Sequence, residues 1–157
     1  MIRVAKPEDA ESVAEIYNHY VATTVISFDE SPQPVEKFIK SIEDDNPWFI
    51  LENEGKVAGF TYAVQWKVKN AYRFIYESTI YLSGENTSKG DGTKLYSKLI
   101  EECRNRDLHS LVACIALPHE ISVKFHEKHG FVKSGHIKEA GFKFGNWVDV
   151  GYWQLLL

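Results

Sequence analysis

Apolar residues recur along this chain with two periods, and the changes of period divide it into elements. Between Pro7 and Val21 the positions Ala10, Val13, Ala14, Tyr17 and Val21 fall three or four apart, the spacing of one helical face. Pro7 suits a first helical turn, where its missing N–H costs nothing, and Glu8 and Asp9 place negative charge at the positive end of the helix dipole. The same spacing returns over 92–104, with Leu95, Tyr96, Leu99, Ile100 and Cys103 on one side. Shorter helices are predicted over 34–42, opened by Pro34, and over 120–128, ended by Gly130. Strands are predicted over 2–4, 48–51, 57–65, 73–82, 111–116, 131–137 and 143–156, with 23–28 extended. Asn53-Glu54-Gly55-Lys56 supplies a hairpin turn, and 111–116 is an unbroken apolar run, as expected of a strand buried on both faces. Hairpins at both ends and a helical crossover between 73–82 and 111–116 predict an α/β chain. Its sheet is mixed, with six or seven strands flanked by about four helices.

The composition adds bounds. The chain has 157 residues, 44% of them hydrophobic and 13% aromatic, enough for a substantial core. No linker, repeat or low-complexity stretch interrupts it, so residues 1–157 are expected to form one domain. A net charge of −4 argues against nucleic acid as a partner, because a phosphate backbone calls for a basic face. No signal peptide, lipidation motif or long apolar span is apparent, which predicts a cytoplasmic protein with no membrane partner. Cys103 and Cys114 are expected to be buried free thiols.

The segment from Thr87 to Tyr96 carries the first chemistry. Gly90 and Gly92 stand between an apolar strand and a helix whose N-terminal N–H groups can receive an anion, and Lys89 and Lys94 add formal charge. A Walker loop does not fit, since Lys89 stands where its second Gly belongs, and Leu95 stands where a dinucleotide fingerprint has its last Gly. On these residues alone an ordinary glycine turn before a helix is an equal alternative. The loop resembles the pyrophosphate loop of the GNAT acetyltransferases, with Thr87 where that family has Gln or Arg.

The resemblance runs through nearly the whole chain and is similar to the phosphinothricin and methionine-sulfoximine acetyltransferase branch. It is carried by Ile16-Tyr17-Asn18-His19-Tyr20, Gly59-Phe60-Thr61-Tyr62-Ala63, Trp66-Lys67-Val68-Lys69-Asn70-Ala71-Tyr72 and Glu77-Ser78-Thr79-Ile80-Tyr81-Leu82. Further matches are Ser122-Val123-Lys124-Phe125-His126-Glu127, Gly130-Phe131, Ala140-Gly141-Phe142-Lys143, Trp147, Asp149 and Gly151-Tyr152-Trp153-Gln154. It implies the GNAT fold with a splayed sheet, acetyl-CoA as co-substrate and no metal. The coenzyme contacts it implies are the backbone of Ile80, Tyr81 and Leu82, then Ser88, Lys89, Gly90, Asp91, Gly92 and Thr93, then His119, Ser122 and Lys124. His119 replaces an Asn common in the family.

N-acetylation needs a base for the amine, stabilisation of the thioester oxygen, and a proton for the departing thiolate. Glu77 lies in an aromatic, apolar strand, a costly place for a carboxylate without a task or partner, although a strand Glu facing water is the other reading. The resemblance makes it the general base. Backbone N–H groups near Ile80–Leu82 are implied to stabilise the oxygen, and their side chains read as core. His126 is the candidate general acid, or else a histidine packed under its helix and bonded to backbone. A zinc reading of His126-Glu127-Lys128-His129 fails, because the two histidines are one residue short of the zincin spacing. A serine hydrolase lacks its Gly-x-Ser-x-Gly elbow.

On the substrate side, Lys67, Lys69 and Arg73 cluster before Glu77, and on a regular strand Arg73 would share its face, placed for a carboxylate. Phe28, Trp66 and Tyr72 are candidate apolar walls that could equally be core. Phe144 stands where classical phosphinothricin enzymes have His. The leading expectation is acetylation of the α-amine of a small amino-acid-like compound by direct attack. The alternatives are a polyamine or protein N-terminus as acceptor, or a non-catalytic acetyl-CoA sensor. Phe142, Phe144, Trp147, Tyr152 and Trp153 offer more apolar surface than an edge hairpin buries, which predicts a homodimer.

Overall fold

A computed structural model describes residues 1–84 and 89–157. Its elements are β1 (Ile2–Val4), a 3₁₀ turn (Pro7–Asp9) running into α1 (Ala10–Thr23), α2 (Val35–Glu43), β2 (Trp48–Asn53) and β3 (Lys56–Gln65). A second 3₁₀ turn (Asn70–Tyr72) precedes β4 (Ile75–Leu82), α3 (Asp91–Asn105), β5 (Ser110–Leu117), α4 (Glu120–Lys128), β6 (Val132–Lys143) and β7 (Asn146–Leu156). The seven strands form one sheet in the order β1-β2-β3-β4-β5-β7-β6. Only β4 and β5 run parallel, joined through α3 as the crossover pattern predicts.

Strand alternation explains the layers. In β2, Phe49 and Leu51 point into a cluster with Leu95, Tyr96, Leu99 and Cys103 of α3, whereas Trp48 and Ile50 join Val13, Ala14 and Ile16 of α1 and Phe38 of α2. Each face of the sheet is thereby covered by helices, which is why β2 is apolar at four consecutive positions. Among the described residues no helix is long and apolar enough to cross a membrane.

The sheet is split. β4 and β5 pair only at Ile75↔Ser110, Tyr76↔Leu111 and Glu77↔Val112. Beyond that point β4 stays paired with β3 as far as Gly59↔Leu82, and β5 with β7 as far as Leu117↔Asp149. The two halves of the sheet therefore part at Ser78. A buried chain of hydrogen bonds holds the vertex: Tyr96 and Ser78 hydroxyls lie 2.7 Å apart, and Ser78 donates to the Val112 carbonyl at 3.4 Å.

Four expectations need correcting. Residues 24–28 form a sequence of bends rather than an extended strand. β4 begins at Ile75, because the 3₁₀ turn continues into helical φ/ψ at Arg73 (−59°, −16°). Lys143 ends β6 rather than opening β7. The turn between them is Phe144-Gly145, with φ of 50° and 75°, and both values are positive as a two-residue type I′ hairpin demands. Cys103 is buried as expected, but Cys114 is exposed.

Candidate active site

The parted strands enclose a cavity of about 280 Å³. Glu77 to Tyr81 of β4 line one side and Ala113, Cys114 and Ala116 of β5 the other. Ser122 and His126 of α4, Tyr17 of α1, Tyr62 of β3, Val150 of β7 and the loop residues Ile26, Ser27 and Phe28 complete the wall. Glu77 is the last β4 residue paired with β5, so it sits where the split begins. Burial pushes its carboxyl above the ordinary value, with the positive charge of Lys67 working against the rise.

His126 is buried, and its Nδ1 lies 2.8 Å from the Ser122 carbonyl. A carbonyl only accepts, so Nδ1 carries the proton and Nε2 is left with the lone pair. Burial lowers the tendency of this imidazole to take a second proton. Near neutral pH the ring is therefore uncharged and accepts at Nε2, and its bond to backbone matches the packed histidine that was the other reading of the sequence.

The backbone of residues 78–82 has no strand neighbour on its β5 side among the described residues. It is held from behind, where Thr61 Oγ1 donates to the Thr79 carbonyl and Tyr20 Oη to the Leu82 carbonyl, both at 2.7 Å. That leaves a preformed edge. Of the phosphate-loop residues, Thr87 and Ser88 lie outside the described residues, and Lys89 and Gly90 are exposed ahead of α3. The two glycines differ in kind. Gly90 has φ +95° with open space where a Cβ would be, so its requirement is conformational. Gly92 is buried, and a Cβ there would lie 3.1 Å from Leu82 Cδ1, so its requirement is close packing of α3 on β4. Asp91, in the first turn with Thr93, accepts a bond from Asn53 at 3.3 Å.

His119 is the N-cap of α4, its Nδ1 accepting from the Ser122 N–H at 3.0 Å. It and Lys124 line a different, larger groove of about 700 Å³ between α4 and the β6–β7 hairpin. The groove is wider, but it does not contain Glu77 or the open strand edge. Of the five substrate-side candidates only Phe28 borders the smaller cavity. Trp66 packs edge-on against Tyr72 at 5.7 Å, and the exposed Lys67 lies over the Trp66 ring. Arg73 stacks on Phe74 at 4.4 Å and donates to the Asn70 carbonyl. Because Arg73 precedes the strand, the shared face with Glu77 expected of a regular strand does not form.

Tyr17, Ser27, Tyr62 and Cys114 join the cavity without having been singled out as site residues. Tyr17 Oη bonds Ser27 Oγ at 2.8 Å and donates to Asp29 at 2.6 Å. Tyr62 stacks on Trp48 at 4.0 Å. Although Cys114 is exposed where it lines the cavity, its thiol is pushed up to about 11, first by desolvation at the cavity wall and then by the nearby charge of Glu77. Tyr17 and Tyr62 fall within segments that carried the resemblance, but only the pairing of β3, β4 and β5 brings Tyr62 and Cys114 to Glu77. No group of His, Cys, Asp and Glu suited to a metal occurs among the described residues.

The model of the acetyltransferase (GNAT) domain matches residues 2–151. The chain is 40% identical over 156 residues to phosphinothricin N-acetyltransferase of Streptomyces viridochromogenes, covering 98% of this chain and 85% of that protein. It is 30% identical over 160 residues to the L-methionine sulfoximine/L-methionine sulfone acetyltransferase of Salmonella typhimurium, covering 99% and 94%. A crystal structure of a phosphinothricin acetyltransferase from Sinorhizobium meliloti in complex with acetyl-CoA superposes with a TM-score of 0.94 at 32% identity, over 100% of this chain and 88% of that one. With its sheet split at Glu77, an open strand edge and a glycine-led helix beside it, this chain belongs to the acetyl-CoA-dependent N-acetyltransferases of the GNAT family.

Proposed function

We propose that this enzyme acetylates the α-amine of a small amino-acid-like compound of the phosphinothricin or methionine sulfoximine type, by direct attack in a ternary complex. The observation that carries the reading is a half-buried carboxylate, Glu77, at the vertex of a cavity of about 280 Å³. That volume is at the small end for ligand sites and suits a compact acceptor better than a long one. Among the described lining residues Glu77 is the only carboxylate, which disfavours a polyamine.

The features available to acetyl-CoA fit an extended, anionic-ended ligand: the open edge of 78–82, the α3 N-terminus behind Gly90, and Lys89. When bound it supplies an acyl carbon on a thioester. The raised Glu77 carboxyl takes the ammonium proton of the acceptor, directly or through one water. Backbone N–H groups of the β4 edge serve as fixed donors to developing negative charge. His126, neutral and accepting at Nε2, orients an N–H or a water rather than delivering a proton, and the departing thiolate takes its proton from solvent water. Cys114 stays a thiol at neutral pH and is a poor nucleophile, which favours direct attack over an acyl-cysteine. Lys67 does not line the cavity, but its charge reaches Glu77, and it is the cation proposed for the acceptor's carboxylate.

Thiol release from acetyl-CoA with methionine sulfoximine, phosphinothricin, methionine sulfone, spermidine and a peptide tests this. Preference for the first three is expected, and turnover of spermidine or peptide alone would overturn the reading. A homodimer is proposed through the β6–β7 hairpin, where Phe142, Phe144 and Trp147 are 54%, 57% and 62% exposed. Tyr152 and Trp153, also expected at that surface, are half-buried and buried instead. Sedimentation at the monomer mass of 18.0 kDa at micromolar concentration would refute the dimer.

A further inference from the structure

We propose that Lys143 is a positioning residue for the acceptor side of the site, its ammonium fixing the loop between α1 and α2 in the form that presents Ser27 and Phe28 to the cavity. This rests on the substrate reading above. Lys143 is 3% exposed, and Nζ donates to the carbonyls of Val21, Thr24 and Ser27 at 2.8, 2.8 and 2.7 Å. An ammonium has three protons, and all three are used, so Lys143 has none left for a substrate carboxylate. A buried cation is costly unless its donors are satisfied. Burial lowers the hold of Lys143 on its proton, and the charges of Asp29 and Glu30 oppose that in part, while three carbonyl dipoles answer the ammonium directly.

The Val21 carbonyl lies in the last turn of α1, while those of Thr24 and Ser27 belong to a segment without strand or helix pairing of its own. One atom from a strand more than a hundred residues later collects them, so the path of the loop depends on that atom. Gly141 belongs to the same device. The register Gly141↔Val148, Phe142↔Trp147, Lys143↔Asn146 is regular, which puts Gly141 and Lys143 on one face of β6 and the exposed Phe142 on the other. A Cβ on Gly141 would fall 2.7 and 2.8 Å from two Phe28 ring carbons and closer still to a third. The missing side chain is therefore the seat of the Phe28 ring. From the opposite side Tyr17 holds Ser27 and Asp29. The end of β6 acts as a template on which the acceptor loop is cast.

Lys143→Met, Gly141→Ala, Phe28→Ala and the Gly141→Ala/Phe28→Ala double variant test this in the full chain. Hydrogen–deuterium exchange of the peptide covering 22–30 is read beside KM for the amine, KM for acetyl-CoA, and kcat. Lys143→Met should speed exchange in that peptide and raise the amine KM by about tenfold or more, the effect of leaving a buried carbonyl unanswered. The acetyl-CoA KM should stay within about twofold, since distinct, non-contacting sites behave independently. Gly141→Ala should raise the amine KM alone, and the double variant should match Phe28→Ala rather than sum the two effects. Wild-type loop exchange and amine KM in Lys143→Met would overturn the proposal. If Lys143→Met does not fold, additive effects of Gly141→Ala and Phe28→Ala would overturn it. Failure of the wild-type enzyme to acetylate any amino-acid-like amine would instead overturn the substrate reading, and the exchange data would still decide whether Lys143 orders the loop.

Discussion

The hydrogen-bond chain at the vertex of the split sheet makes a quantitative prediction. Ser78 has one hydroxyl proton and donates it to the Val112 carbonyl, so the 2.7 Å contact with Tyr96 is a bond from the phenol to Ser78 Oγ. Tyr96 has no exposed surface and Ser78 is 6% exposed. Ser78→Ala leaves the Tyr96 hydroxyl buried without an acceptor and should destabilise the fold by about 1–3 kcal/mol. For a chain of this length that is a Tm lower by roughly 2–10 °C. Tyr96→Phe removes the donor instead, leaves Ser78 its bond to Val112, and should cost about 1 kcal/mol. The double variant removes both polar groups, so it should cost less than the sum, with a coupling of about 1 kcal/mol. Urea unfolding of the four proteins, with unchanged m-values, measures the cycle. Strict additivity would refute the reasoning, because it would mean that the two hydroxyls do not depend on one another at the point where β4 and β5 part.

Glu77→Gln should lower kcat by about 100-fold or more while leaving the acetyl-CoA KM nearly unchanged. Its raised folded-state value means the wild-type carboxylate destabilises the fold as pH rises from the ordinary 4.5 through the folded value, so the variant should melt higher than wild type at pH 7. Wild-type kcat/KM should correspondingly fall on the acid side at a pH above 4.5; a flat profile there, or equal melting of the two proteins, counts against that environment. His119→Ala should cost about 0.5–2 kcal/mol as a lost helix cap. Its acetyl-CoA affinity by calorimetry should match wild type, and a large loss would restore His119 to the coenzyme site. Gly90→Ala and Gly92→Val should separate: the first strains a left-handed residue by about 1 kcal/mol with room for its methyl group. The second drives a side chain into Leu82 and should lower both stability and acetyl-CoA affinity, and equal effects on melting would refute the distinction.

Much of this architecture was determined by the sequence alone, because it depends on local periods. The stripe Leu95, Tyr96, Leu99, Ile100 and Cys103 specifies α3 whatever it packs against, and the four apolar residues of β2 require cover on both faces. The glycines before α3 and the Glu77 strand are equally local, which is why they could be singled out from the sequence. Tertiary structure decided what depends on non-local pairing. Pairing between β4 and β5 stops after Glu77, and that places its carboxylate at a vertex rather than along a wall. The Asn70–Tyr72 turn removes Arg73 from the strand face that a regular period would have given it. His126 has its polarity set by the carbonyl of Ser122, a direction that no composition or spacing encodes. Lys143 is the clearest case: a lysine at the end of an edge hairpin would ordinarily face water. Only the chain's return past α1 supplies three carbonyls at bonding distance, enough to satisfy a cation withdrawn from solvent.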